Sequence, residues 1–195
     1  MTTLKYVREI KDSRLLLLGL TEEGESARYT VNCATYEDIG SPAVGDELDA
    51  AQLSAIKHTD EYIRAKKKAL NILAYTDNSK KNLASKLYHA GFEKEIVSDT
   101  ITEMESYGYV NEQRQLERII IREANEKLRG PKKIMAFAMA KGYASSDIRE
   151  VMHRLVDAGE IDFSKNAKRL IDKKLSCDAD GEEKKKLLYK NGFKI

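Results

Sequence analysis

With 195 residues, 42% hydrophobic, 34% charged, two prolines and no tryptophan, the chain has the make-up of exposed, salt-bridged helices rather than of a compact sheet. Cys33 and Cys177 stand far apart with no C-x-x-C spacing, no segment approaches ~18 consecutive apolar residues, and MTTLKYVREIKD lacks a signal peptide's apolar run, so a cytoplasmic protein without a membrane span is expected. The net charge of +2 hides an asymmetry, −5 over residues 1–60 and +7 over residues 61–195, and so modestly basic a body permits an anionic partner without demanding one.

Near the N-terminus, Arg14-Leu-Leu-Leu-Leu-Gly19-Leu20 is a short apolar run. The turn-like Glu22-Glu23-Gly24-Glu25 and then Arg28-Tyr-Thr-Val-Asn-Cys33 follow, which predicts a β-hairpin. Ile39-Gly-Ser-Pro-Ala-Val-Gly45 has loop chemistry. Asp49-Ala-Ala-Gln52 pairs an acceptor with a glutamine three residues on, a capping-box variant that starts a helix.

From about residue 60 the period is helical, and a shift of 51 residues lays the chain on itself. Ala65, Leu116 and Ala167 align; so do Ala69, Ile120 and Ile171, and Leu73, Ala124 and Leu175. These are apolar stripes at i, i+4, i+8 on the first helix of each unit. In the second helix Leu87, Ala138 and Leu188 correspond; in the third, Val97 with Ile148, Ile101 with Met152, and Met104 with Leu155. Gly108-Tyr-Val-Asn111 then answers Gly159-Glu-Ile-Asp162. The expectation is a mainly α chain of tandem three-helix repeats in an elongated array, preceded by a small β-hairpin segment. The units fall at 1–58 (hairpin and linker helix), 59–111, 112–162, and a two-helix third repeat at 163–195.

Gly91, Gly142 and Gly192 recur between the second and third helices, each followed by an aromatic residue (Phe92, Tyr143, Phe193). A sharp helix end wants a residue of positive φ, which costs glycine little, and the aromatic folds back as its hydrophobic contact. Gly130-Pro131 opens the second helix of the middle repeat, with Pro131 at the first helical position. Ser145 or Ser146, and then Ser164, are expected helix caps. The short third repeat should leave Leu187, Leu188 and Phe193 partly uncovered unless the second repeat or a partner shields them.

No catalytic or metal motif stands out. There is no P-loop, H-E-x-x-H or G-x-S-x-G, and no cofactor is expected. His58, His89 and His153 are scattered, Asp77 and Glu95 make no acid/base pair, and Asp178-Ala-Asp180-Gly181 lacks the spacing of a calcium loop and reads as an acidic turn before a helix. The chain reads as a non-enzyme.

One row of cations follows the repeat. Lys67, Arg118 and Arg169 each stand two residues, about 200° of helix, after an inward position and so point away from the core. Lys81 and Lys132, with Lys133 beside the latter, form a partial second row; Glu182 replaces it in the third repeat. Arg114 and Arg122 recur as Lys165 and Lys173. Arg122 can pair with Glu126 and Glu123 with Lys127, so a merely solvated face competes with a surface for a repetitive anionic or acidic partner.

Ala69-Leu-Asn-Ile-Leu73, Ser79-x-x-x-Leu83-x-x-x-Leu87-x-x-x-Gly91-Phe92, Gly108-Tyr-Val-Asn111, Arg129-Gly-Pro131-Lys-Lys-Ile134 and Lys141-Gly-Tyr143, in this order, resemble the RecX regulatory proteins. Val44-Gly-Asp-Glu-Leu48 and the hairpin are similar to the leader of longer members. The resemblance implies tandem three-helix repeats and a role in DNA repair, homologous recombination and the SOS response. It implies a monomer that lies in the groove of the RecA–DNA filament, lowers its ATPase, strand-exchange and co-protease activities, and binds single- or double-stranded DNA weakly. It carries no catalytic residues. Asn111 stands where that family usually has aspartate. A stand-alone DNA-binding protein with helix-turn-helix-like units is the competing reading, and a generic helical scaffold a third.

Overall fold

The computed structural model describes residues 1–11, 13–76, 78–176 and 179–194; Asp77, Cys177 and Asp178, named above, lie outside the described residues. The chain forms two compact units, one of Met1–Ala74 with Lys86–Glu103, the other of Tyr75–Ser85 with Met104–Ile195. The fold is mainly α, built of tandem helical repeats with a small N-terminal antiparallel sheet.

In the first unit the sheet has four strands, β1 (Thr2–Glu9), β2 (Leu15–Glu22), β3 (Glu25–Asn32) and β4 (Glu47–Leu48), in the order β3-β2-β1-β4. The hairpin expected from the sequence is β2–β3. Glu22 faces Glu25, and Glu23 and Gly24 both take positive φ (49° and 92°), the two-residue turn whose twist matches that of the strands. Strand β1 extends the sheet beyond that expectation. Its register slips between Leu4 and Tyr6, and the Tyr6 ring lies where a side chain at Gly19 would stand, since a Cβ there would fall 2.1 Å from Tyr6 Cε1.

Two helices follow. Asn32 caps the short α1 (Cys33–Asp38), its side chain accepting from the Thr35 N–H at 2.7 Å. Helix α2 (Ala50–Tyr75) opens on the reciprocal box read from the sequence: Gln52 N–H donates to Asp49 at 2.8 Å, and Asp49 N–H to Gln52 at 2.9 Å. Ile56 of α2 joins Leu4, Leu18, Leu20, Val31 and Leu48 in the core of this unit. Asp60 accepts from the Thr30 N–H at 2.8 Å, satisfying a donor of the outer strand β3. Further along, Ala65 and Ala69 are fully buried, while Tyr62 and Lys66 both bond Glu103 of helix α4 (Lys94–Ser106).

The second unit takes the start of α3 (Lys80–His89) and then α5 (Glu112–Ile121), a π-helical turn (Arg122–Glu126), α6 (Pro131–Ala140), α7 (Ser145–Asp157), α8 (Phe163–Lys174) and α9 (Gly181–Lys190). Leu116, Ile120, Ala124, Ala138, Ile148, Met152 and Leu155, the positions the apolar period selects, lie in its main core together with Ile134. Leu128, Leu170 and Phe193 form a second cluster. Phe193 is thus covered from within its own unit, while Leu187 and Leu188 are half-buried.

Helix ends explain the recurring glycines. At Gly91, Gly142 and Gly192 φ is 89°, 90° and 84°. In each case the following aromatic N–H reaches five residues back: Phe92 to Leu87, Tyr143 to Ala138, and Phe193 to Leu188, at 3.1–3.3 Å. Asn111 and Asp162 cap α5 and α8 in the same way, by accepting from Arg114 and Lys165. Asparagine and aspartate are equivalent there because both offer the needed oxygen. The serines are placed otherwise than expected. Ala144 is the N-cap of α7 and makes no side-chain bond, so Ser145 and Ser146 are already helical; Asp162 displaces Ser164 as the cap of α8.

A recurring joint sits in this unit. Ser79, at the start of α3, donates its hydroxyl to the Lys141 carbonyl in the α6–α7 turn, at 2.8 Å. At the start of α6, Gly130 N–H donates to Asn191 O at 2.8 Å and Lys132 N–H to Gly192 O at 3.1 Å. The turn carbonyl thereby satisfies a first-turn donor that has no partner within its own helix.

Candidate partner-binding surface

Helix α5 and the π-turn carry Arg114, Arg118 and Arg122, all exposed and four residues apart, so the three stack on one helical face. Arg122 pairs with its neighbour Glu123 at 3.2 Å rather than with Glu126. The cause is the π-turn, which widens the coil so that Lys127 N–H donates five residues back to Arg122 O.

Glu123, expected from the sequence to pair with Lys127 on a solvated face, is instead buried and pairs with two arginines. Only 3% of it is exposed, and its carboxylate takes Arg122 on one oxygen and Arg129 on the other. The Arg129 guanidinium also lies 5.3 Å from the centre of the Phe137 ring. This pair fixes the loop leading into Gly130-Pro131. Periodicity gives no warning of it, because a charged residue on a helix reads as surface.

Arg169 on α8 is exposed but engaged. Its Nη1 donates to Asn125 O at 3.3 Å and to Asn166 Oδ1 at 3.2 Å. Asn166 is buried and donates to Asn125 Oδ1, whose amide nitrogen in turn reaches Glu160 O at 2.9 Å. Arg169 therefore ties α8 to the π-turn while its edge remains at the surface.

On α6, the exposed Lys132 ammonium lies 5.7 Å from the centre of the Tyr189 ring. Lys133 is half-buried and donates to the Lys190 carbonyl at 3.3 Å, at the end of α9 where a cation meets the helix dipole favourably. Lys81 is exposed on α3 in the same unit. Lys67 is exposed on α2 and belongs to the first unit. Seven of the eight sequence-selected cations therefore share one unit. Next to Lys81, Lys80 is paired with Glu105 at 2.5 Å, and that bond pushes its ammonium pKa up.

No group of three or more His, Cys, Asp or Glu side chains among the described residues could hold a metal ion, and no described helix is long and apolar enough to cross a membrane. Such a surface can bind, through cations held in place by packing and hydrogen bonds.

No family model matches the chain. The regulatory protein RecX of Clostridioides difficile is 32% identical over 146 residues, which cover 75% of this chain and 66% of that protein. The chain belongs to the RecX family of regulatory proteins. RecX of Caldanaerobacter subterraneus subsp. tengcongensis is 25% identical over 174 residues, 89% of this chain and 85% of that one. A RecX crystal structure superposes with a TM-score of 0.72 over 100% of this chain and 95% of the other at 19% identity. RecX from Lactobacillus salivarius gives 0.59 over 70% and 90% at 20% identity. Both structures share the fold, and the two sequence relatives are named as regulators.

Proposed function

We propose that this chain is a cytoplasmic, monomeric regulator that binds the RecA–DNA filament and lowers its ATP hydrolysis, strand exchange and co-protease action. Membership of the RecX family supports this reading, and one observation carries it. Lys67, Arg118 and Arg169 recur at one position of successive helical units, and all three are exposed. A filament repeats the same protomer surface. Linked weak contacts to several protomers multiply through effective concentration, so cations of exposed-pair strength suffice together. Bridging neighbouring protomers opposes the relative motion that ATP turnover needs. The chain binds and restrains, and performs no chemistry of its own.

The test is the ATPase rate of RecA on single-stranded DNA with the chain added below one copy per protomer. The expected result is inhibition well beyond the fraction of protomers covered. Unchanged turnover, together with tight binding to DNA alone and a steep salt dependence, would replace this reading with that of a stand-alone DNA-binding protein.

A further inference from the structure

A second binding feature lies apart from the periodic cations of α5 and α8. Between α6, α7 and the start of α8 runs a groove of about 480 Å³. Its floor is apolar: Met135, Met152, Val156 and Phe163. Met152 is buried, Met135 and Phe163 are half-buried, and Val156 is 41% exposed, so the apolar surface is open to a visitor. Two flexible thioethers make a floor that adapts to differently shaped apolar side chains.

The rim is cationic. Lys132, Arg149 and Lys194 stand around the floor against one carboxylate, Asp157. Lys132 is steadied over Tyr189, and Arg149 by a 3.2 Å bond to Ser145 Oγ, so part of the cost of ordering these side chains is already met.

We propose that this groove docks a short acidic segment of a partner protein, one that carries large apolar side chains between its carboxylates. The floor takes the apolar side chains and the rim takes the carboxylates. Charge complementarity selects the occupant. A basic or neutral peptide would leave the three cations with no counter-charge beyond Asp157, and a nucleic acid would set its phosphates against methionine and valine. The inference rests on the groove and not on the recombinase, so it stands or falls separately from the ATPase reading.

The probe is a fluorescein-labelled 12-residue peptide with leucine or phenylalanine at every third or fourth position and glutamate elsewhere. Its controls are the same peptide with lysine for glutamate, the same with alanine for the apolar residues, and a labelled oligothymidylate. Fluorescence anisotropy with the full chain should show micromolar binding of the acidic apolar peptide and at least tenfold weaker binding of both peptide controls. In the methyl spectrum of the wild-type chain, the Met135 and Met152 signals should shift on titration with the acidic apolar peptide alone. Lys132→Glu with Arg149→Glu should cut the affinity at least tenfold. Equal binding of all three peptides, no binding, unmoved methionine methyls, or methyl shifts caused by the oligothymidylate instead would each overturn the proposal. The methyl readout keeps the test decisive even where a variant folds poorly.

Discussion

The turn after α3 at Gly91 and the turn after α9 at Gly192 have nearly the same backbone, φ 89° and 84°, and the same five-residue reach of the following aromatic N–H. Their surroundings differ. A Cβ on Gly91 would meet nothing within 4 Å, whereas one on Gly192 would fall 2.5 Å from Lys133 N and 2.6 Å from its Cβ. Gly142 is intermediate, its nearest neighbour being the Ser79 hydroxyl at 2.6 Å. One motif thus serves two purposes: everywhere it ends a helix, and at Gly142 and Gly192 it also lets a neighbouring helix start press against the turn.

Breaking that comparison gives the largest predicted effect. Gly192→Ala adds a methyl against backbone at a left-handed position, and should lower the stability of the second unit by about 3 kcal/mol or more, the sum of left-handed strain and overpacking. Gly91→Ala carries the strain alone and should cost about 1 kcal/mol. Urea unfolding of both variants measures the difference, and equal costs would mean that the Gly192 contact contributes nothing.

The entries into α3 and α6 sharpen the same contrast. Arg129, before α6, neutralises buried Glu123; the position 51 residues earlier is Asn78, which is buried and uncharged. Asn78 donates to Thr76 O at 2.7 Å and accepts from Asn82 at 2.9 Å. Arg129→Met should destabilise by about 3 kcal/mol, because it strips a buried carboxylate of its main partner, and Glu123→Gln in the same chain should restore part of the loss. Asn78→Ala removes the bonds to Thr76 and Asn82 and should cost about 1–2 kcal/mol. Thermal melts of the three variants check this order.

A smaller effect belongs to the sheet unit. Hydrogen bonds from Lys57 and Tyr29 hold the Glu22 carboxyl below its ordinary pKa of 4.5. A lowered native pKa stabilises the fold above the unfolded value, and the contribution fades as pH falls through the native one. Stability should therefore drop slightly on acidification below about pH 4.5. Lys57→Met should flatten that part of the profile by removing the largest cause of the shift, and an unaltered profile would show that the pair is inert.

What could be read in the sequence follows from how local each cause is. A left-handed helix end needs glycine whatever surrounds it, so the turns at residues 91, 142 and 192 were legible. The hairpin was legible because a turn-like stretch containing Gly24 separates two strand-like runs, although nothing in the sequence marks Glu23 for its positive φ. Strand β1 was not, because its alternation breaks where the register slips beside Lys5 and its partner strand is found only by folding. The π-turn has no residue signature, and the Glu123–Arg129 pair is made by a loop reversal across six residues. Among the cations, the period identified Arg169 as exposed but could not show that it also binds the π-turn, since that contact joins residues 44 apart.

Charge reversal of the three periodic cations is the sharpest test of the proposed filament binding. Lys67→Glu, Arg118→Glu and Arg169→Glu are combined in one chain and compared with Lys67→Glu alone, by the concentration that halves RecA ATP hydrolysis on single-stranded DNA, with circular dichroism to verify folding. The double variant Lys67→Glu with Arg118→Glu serves as a check that spares the Arg169 contacts. The multiple variants should lose roughly tenfold or more in inhibition, about 1.4 kcal/mol, and the single one much less. Undiminished inhibition by a folded triple variant would contradict the proposed filament binding.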